Sequence, residues 1–210
     1  MADIQNLLLF VGLSWVLIVT PGPDLIYVLT KGISIGKKAG LISATGVTLG
    51  IFVHTIFAAL GLSVILKTSA LAFMIVKLIG AGYLIYLGIK TLVSKEKLNL
   101  RNNEQQTPNR KIFTQGLLSN TLNPKVALFF MAFLPQFIKT NGTEITPIPF
   151  LILGTLFALF TWIFLAILGY FSGAVGHYIK TKDSVSKWIK NLSGSVMILL
   201  GIRLAFINQK

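Results

Sequence analysis

The chain has 210 residues, of which 54% are hydrophobic and only 12% are charged, and its formal net charge is +13. Soluble domains are about a quarter charged, so this composition predicts a protein whose main solvent is lipid. The basic residues lie mainly between apolar runs, which indicates membrane topology and not nucleic-acid binding. The sequence contains no cysteine, which excludes disulfides, thiolate metal sites and thiol redox chemistry.

A helix that crosses a bilayer needs roughly 20 mostly apolar residues. Six stretches meet this condition and predict an all-α membrane protein with six transmembrane helices, at about 4–30, 40–66, 70–93, 112–138, 147–178 and 186–207. A hydrophilic linker at 94–111 separates the third span from the fourth. The whole chain, 1–210, is predicted to form a single transmembrane domain built from two repeats, at about 1–93 and 112–210.

The two halves resemble each other in sequence. Residues 87–90 (Leu-Gly-Ile-Lys) recur as 200–203 (Leu-Gly-Ile-Arg), and Pro21 or Pro23 aligns with Pro124. A repeat of three spans must insert in opposite senses in its two copies. The sequence therefore predicts inverted three-helix repeats whose first and fourth helices break at prolines near the bilayer midplane, which is a transporter geometry.

The distribution of lysine and arginine predicts the orientation of the spans. These residues concentrate at 31–38, 90–111 and 180–190, which border alternate connections between the spans. Because cytoplasmic loops carry the excess of positive charge, both termini are predicted to lie on the outer side of the membrane, away from the cytoplasm.

The first break has the sequence Thr20-Pro21-Gly22-Pro23-Asp24. Each proline removes a backbone donor, and the freed carbonyls must be buried in protein or face a watery cavity. Asp24 is the one carboxylate within a predicted span. It is either a helix-start residue that accepts from first-turn amides or a site for a proton or cation, and the two roles are compatible.

The second break is predicted where Asn120 and Asn123 precede Pro124 and Lys125. We expect Lys125 and Asp24 to face each other across a cavity, either as a pair or as separate partners for the two charges of a zwitterion. The alternative is that the Lys125 side chain extends toward the membrane surface.

Gly46, Gly50 and His54 recur at four-residue spacing, which places them on one helix face. The glycines are interpreted as helix-packing residues, whereas His54 either lines the transport path or packs through a hydrogen bond. Gln136 is a further candidate lining residue. Other glycines interpreted as packing residues are Gly80, Gly88, Gly194 and Gly201.

Motifs of several enzyme classes are missing from the sequence, including H-E-x-x-H, G-x-S-x-G and the P-loop. The two histidines, His54 and His177, belong to no cluster with metal-ligand spacing. We therefore expect neither an enzyme nor a bound metal, cofactor or nucleic acid.

The sequence resembles the LysE/RhtB family of bacterial amino-acid exporters along nearly its whole length. The resemblance is carried by Thr20-Pro21-Gly22-Pro23, by Gly46-x3-Gly50-x3-His54, by Asn120-x2-Asn123-Pro124-Lys125 and by Leu134-Pro135-Gln136-Phe137. It implies a multi-pass protein of the bacterial plasma (inner) membrane that exports amino acids or close derivatives, such as homoserine, threonine, lysine or a lactone.

The resemblance also implies secondary transport driven by an ion gradient. The favoured mechanism is alternating access coupled to proton movement, with the lipid bilayer, a small amino acid and H+ as partners. A gated channel and a membrane subunit without flux are the alternatives. The glycine-rich faces pack either within one chain or between two, which leaves a homodimer open.

Overall fold

The computed structural model describes residues 6–62, 70–93, 107–138, 146–174 and 183–206, and these residues are predominantly helical. The helices are α1 (Leu7–Val19), α2 (Pro23–Ser34), α3 (Lys37–Phe57), α4 (Ala70–Val93), α5 (Asn109–Thr121), α6 (Pro124–Leu128), α7 (Ile148–Tyr170) and α8 (Asp183–Phe206). A π-helical turn, Ala58–Leu62, continues α3. After α6 come a second π-helical turn, Phe129–Phe133, and a 3-10 turn, Leu134–Phe137.

Within the described residues, two helical segments, Lys37–Gly61 and Ile148–Tyr170, are long and apolar enough to cross a membrane. The count there rises to four if each of two bent pairs is one span, namely α1 with α2, bent by 52°, and α5 with the segment Pro124–Phe137, bent by 44°. The prediction of a helical protein with candidate membrane spans is thus confirmed for these residues. The count of six spans and their inverted arrangement stay predictions, although α4 and α8 are helical where the third and sixth spans are predicted.

Both bends occur at prolines. Helix α1 ends at Val19, and α2 begins at Pro23 after a short non-helical segment. Helix α6 begins at Pro124 in the same way. Proline suits the first position of a helix because its missing N–H would have no partner there. The breaks therefore lie where the sequence places them.

The core around the second break is aromatic. The ring centroids of Phe129 and Phe157 are 4.9 Å apart, and those of Phe10 and Phe137 are 5.3 Å apart. Phe133 stacks on Phe129 with a centroid distance of 6.0 Å. We call these five rings the aromatic cluster, and all of them are buried. The cluster packs α1 and α7 against the π-helical turn.

Glycines lie where helices cross at short distance. A methyl group built on Gly88 would lie 2.6 Å from the carbonyl oxygen of Gly194, and one on Gly201 would lie 2.7 Å from that of Ala81. Helices α4 and α8 therefore touch along their backbones. Gly80 faces Ala132 beside the π-helical turn, while Gly46 and Gly50 contact α5. All six predicted packing glycines thus have neighbours within the same chain.

The crossing of α4 and α8 gives a testable prediction for Gly88→Ala. The added methyl group would collide with the Gly194 carbonyl, and over-packing of this kind costs about 1–3 kcal/mol. We expect the detergent-solubilised variant to unfold at a lower temperature than the wild type. Gly82→Ala is the matched control on the same helix, because nothing lies within 4 Å of a methyl group at that position. Equal unfolding temperatures for the two variants would contradict the close crossing.

Candidate functional site

The carbonyl end of α1 lies at the first break. The last carbonyl groups of a helix have no partners within it, and in a membrane they must find them elsewhere in the protein. Thr20 provides one partner, since its Oγ1 donates to Val16 O at 2.6 Å. Lys125 serves two further carbonyl groups, because its Nζ donates to Leu17 O at 3.1 Å and to Thr20 O at 2.9 Å. Lys125, which lies at the second break, therefore satisfies backbone carbonyl groups at the first break.

The Lys125 ammonium group is well placed electrostatically. Its side chain is only 7% exposed, and its Nζ lies at the negative end of the α1 dipole, which favours a cation. Gly22 makes room for it, since a methyl group on Gly22 would lie 3.2 Å from Nζ. The Gly22 backbone is extended, at φ −165°, so the requirement there is space and not an unusual conformation.

Asp24 lies in the first turn of α2, where the positive end of the helix dipole favours a carboxylate. Its carboxylate accepts hydrogen bonds from the second break. Asn120 Nδ2 and Asn123 Nδ2 both donate to Oδ2 at 2.8 Å, and Ser119 Oγ donates to Oδ1 at 3.3 Å. Among the residues that the structure describes, the partners of Asp24 are therefore neutral.

Asn123 makes hydrogen bonds to two different helices. Its Oδ1 accepts from the backbone N–H of Lys125 at 3.0 Å, which caps α6, while its Nδ2 holds Asp24. The two breaks consequently brace each other: Lys125 binds the end of α1, and the asparagines bind the start of α2. Pro21, Pro23 and Pro124 create the breaks that these side chains fill.

A cavity of about 20 Å³ lies between the two breaks. This volume is enough for about one water molecule. Its lining residues are Leu17, Ile18, Asp24, Leu25, Ile51, Asn120, Lys125, Val126, Phe157, Thr161 and Leu165. We call it the central cavity. Asp24 and Lys125 share it, yet no ion pair joins these two described residues, because each is held by other groups.

His54 contacts this site indirectly. Its Nε2 lies 3.0 Å from Asn120 O. Since a carbonyl oxygen only accepts, Nε2 carries the hydrogen and donates it. His54 therefore holds the backbone of Asn120 and is not one of the residues that line the central cavity. Gly50 packs in the same place, against the Asn120 side chain.

Gln136 is remote from these residues and lines a second cavity with Arg203. The structure thus brings together nine of the predicted pathway residues and separates Gln136 from them. Two polar residues of the site, Ser119 and Thr161, were missed from the sequence. Thr161 could have been recognised from the sequence, because it is a hydroxyl residue inside an apolar helix. It is also four residues from both Phe157 and Leu165, which line the same cavity.

These features define a helical membrane protein with a polar site buried between two helix breaks. The family model described as LysE type translocator matches residues 15–207, and the chain belongs to this family. The resemblance seen in the sequence is therefore confirmed.

Three relatives illustrate the match. A protein of Enterobacter sp. (strain 638) named leucine efflux protein is 34% identical over 210 residues, which cover 98% of this chain and 97% of the relative. A leucine efflux protein of Salmonella typhimurium is 34% identical over 197 residues, covering 92% and 91%. An uncharacterized membrane protein of Bacillus subtilis, YrhP, is 30% identical over 208 residues, covering 95% and 98%. No solved structure gives a significant match.

The double role of Asn123 predicts a graded effect on stability. Asn123→Ser keeps a capping oxygen but is too short to reach Asp24, whereas Asn123→Ala loses both contacts. A helix cap is worth about 1 kcal/mol, and a hydrogen bond to a charged group about 1.5–3 kcal/mol. In thermal unfolding we expect the wild type to be most stable, the serine variant intermediate and the alanine variant least stable.

Asn191→Ala, at an exposed position on α8, is the control for this series and should unfold like the wild type. Three equally stable forms at position 123 would show that the bracing contacts contribute nothing.

Proposed function

We propose that this protein exports amino acids across the bacterial plasma membrane as a secondary-active carrier. The observation that carries the proposal is the arrangement of Asp24 and Lys125 along one cavity, where each makes its hydrogen bonds to other groups. A free amino acid carries an ammonium and a carboxylate group on the same carbon atom. Two opposite protein charges that do not neutralise each other can bind both of its groups.

The rest of the cavity supports an apolar substrate side chain. Leu17, Val126, Phe157 and Leu165 line it beside the charged groups. Relatives named leucine efflux protein point in the same direction. We therefore propose leucine or a similar aliphatic amino acid as substrate, in preference to the homoserine, threonine, lysine or lactone that the sequence resemblance also implies. Lysine fits less well, because Asp24 is the only acid among the described residues that line the cavity.

The size of the cavity supports alternating access. At about 20 Å³ it is too small for any amino acid, so the elements around it must separate before a substrate enters. The aromatic cluster closes the way toward the end of the bundle where α1 begins and α8 ends. We propose that the inverted repeats move relative to each other and open the site first to one side and then to the other.

Proton coupling is proposed for Asp24. Protonation would remove the charge that the two asparagine amides stabilise, and would thereby loosen the contact between the breaks. Among the described residues, Asp24 takes part in this contact directly and His54 contacts it through Asn120. Loss of the proton to the cytoplasm would restore the bracing, so that each transport cycle moves a proton inward as an amino acid leaves.

Both termini are proposed to lie outside. Asn6, Phe137 and Arg203 line one cavity, so the start of the first predicted span and the ends of the fourth and sixth share one end of the bundle. This agrees with the arrangement deduced from lysine and arginine. Labelling of tags at each terminus with an impermeant reagent on intact cells tests it, and a labelled tag only after lysis would contradict it.

The charged pair gives the test of function. Asp24→Asn and Lys125→Met should each abolish leucine counterflow in proteoliposomes, because each removes one of the two charges that bind the zwitterion. Both variants should still insert into the membrane and elute as a single species from a size-exclusion column.

Lys38→Met, at an exposed lysine, is the matched control and should transport normally. Wild-type rates for both Asp24→Asn and Lys125→Met would refute the binding role. Flux that neither saturates nor shows counterflow would indicate a channel.

The coupling ion is tested in the same vesicles. A proton gradient directed opposite to leucine movement should accelerate wild-type leucine flux, and a protonophore should remove the acceleration. A response to a sodium gradient alone, with none to a proton gradient, would contradict proton coupling.

A further inference from the structure

A second cavity, larger than the central one, lies at the end of the bundle where α1 begins and α8 ends. Its volume is about 230 Å³, several times the roughly 30 Å³ that a water molecule takes in the liquid. The lining residues are Asn6, Leu9, Leu13, Phe133, Gln136, Phe137 and Arg203. We call it the terminal cavity. Its lining combines apolar residues with the polar side chains of Asn6, Gln136 and Arg203, and its volume is just below the range typical of small-molecule pockets.

Arg203 provides a cation without a partner. No ion pair or hydrogen bond links its guanidinium group to any residue in the part of the chain that the structure describes. Arg203 lies in the last turn of α8 and is exposed, so its guanidinium group is accessible to an anion that enters the cavity. The planar guanidinium group is suited to bind a carboxylate through two parallel hydrogen bonds.

Gln136 provides a complementary acceptor. Its Nε2 donates to Ala132 O at 2.8 Å, which fixes the orientation of the amide. The Gln136 Oε1 atom therefore remains as an acceptor, with no hydrogen-bond partner among the described residues. An amide oxygen of this kind suits an ammonium group.

The terminal cavity lies next to the central one along α1. Leu9 and Leu13 line the terminal cavity, and Leu17, four residues further, lines the central cavity. Positions spaced by four lie on one helix face, about 6 Å apart along the axis. Phe133 belongs to the terminal cavity and stacks on Phe129, which in turn stacks on Phe157 of the central cavity. The aromatic cluster therefore forms the partition between the two.

We propose that the terminal cavity is a second binding site for the transported amino acid, in which Arg203 binds the carboxylate group and Gln136 Oε1 the ammonium group. Leu9, Leu13 and Phe133 contact its aliphatic side chain. The amino acid occupies this site on the far side of the aromatic partition, between the central cavity and the membrane surface. The choice of ligand rests on the proposed export function, but binding to this site does not require transport.

An oxyanion beside Arg203 has two sources in a membrane. One is the carboxylate of an amino acid, and the other is the phosphate of a lipid headgroup. We favour the amino acid because the cavity offers an acceptor for its ammonium group and apolar walls for its side chain. The experiment below distinguishes the two sources.

The natural chain has no cysteine, so single introduced cysteines report on chosen positions. Leu9→Cys places a thiol in the terminal cavity, whereas Leu8→Cys places one on the neighbouring position, which is 90% exposed and outside the cavity lining. The rate of labelling by N-ethylmaleimide is measured on purified protein in phosphatidylcholine nanodiscs, with and without leucine. We expect leucine to slow the labelling of Leu9→Cys severalfold and to leave Leu8→Cys unchanged.

Two further substitutions assign the effect. Adding Arg203→Gln to Leu9→Cys should abolish the protection by leucine, while Lys90→Gln should not, because Lys90 holds the corresponding position in the last turn of α4 and lines neither cavity. Leucinamide, which lacks the carboxylate, should not protect. Adding Asp24→Asn should preserve protection by leucine, because the second site does not depend on the first.

Absence of protection in Leu9→Cys, or its loss with Asp24→Asn, would overturn the proposal. So would slow labelling without leucine in nanodiscs containing phosphatidylglycerol, relieved by Arg203→Gln, since a lipid headgroup would then be the ligand. The Asp24→Asn variant also separates this inference from the proposed function. Normal transport by that variant would refute the role of the central cavity, while protection at position 9 would still establish the second site.

Discussion

The structure depends on the rule that backbone polar groups inside a membrane must find partners within the protein. Two helices break at prolines, and each break leaves groups that its own helix cannot satisfy. The partners come from the opposite break. Lys125 donates to the carbonyls at the end of α1, and the amides of Asn120 and Asn123 hold Asp24 at the start of α2. Each break therefore depends on side chains of the other break for hydrogen bonds.

In the proposed function, the hydrogen bonds between the two breaks contribute both to stability and to transport. Contacts that satisfy both breaks also place a cation and an anion in one cavity without pairing them. A zwitterion that binds there competes for the same groups, so its binding must disturb the bracing. The cavity has room for about one water molecule in this conformation, and Phe157 of the aromatic cluster lines it. In the proposed mechanism, binding and opening are therefore coupled through the same few hydrogen bonds.

The sequence predicts the main features of the site because prolines and charged residues in apolar helices have few roles. The breaks at Pro23 and Pro124 are found where they are predicted, and Asp24 and Lys125 line one cavity. The identity of the Lys125 partners was not predictable, because backbone carbonyls carry no sequence signal. The sequence predicts that Lys125 faces Asp24, whereas tertiary packing brings Lys125 Nζ to the carbonyl groups at the end of α1.

Other features depend on how the helices pack. Gln136 was predicted to line the same path as Lys125, but the π-helical and 3-10 turns after α6 carry it to the terminal cavity. Periodicity does not reveal such turns, since they depart from the spacing of an α-helix. In the sequence, Arg203 could be recognised only as the residue of the second repeat that corresponds to Lys90. Its place beside Leu9 and Gln136 follows from the crossing of α8 with the rest of the bundle.

The central claim is that the two breaks line a path that opens to each side in turn. Thr161 tests it directly, because it lines the central cavity, is only 6% exposed and can be replaced by cysteine in a chain that has no other. The measurement is the labelling of Thr161→Cys by a small impermeant thiol reagent, applied to one face and then the other of oriented vesicles. The account predicts labelling from both faces, slowed by leucine. A thiol that reacts from neither face under any gradient, in a variant that still transports leucine, would contradict it.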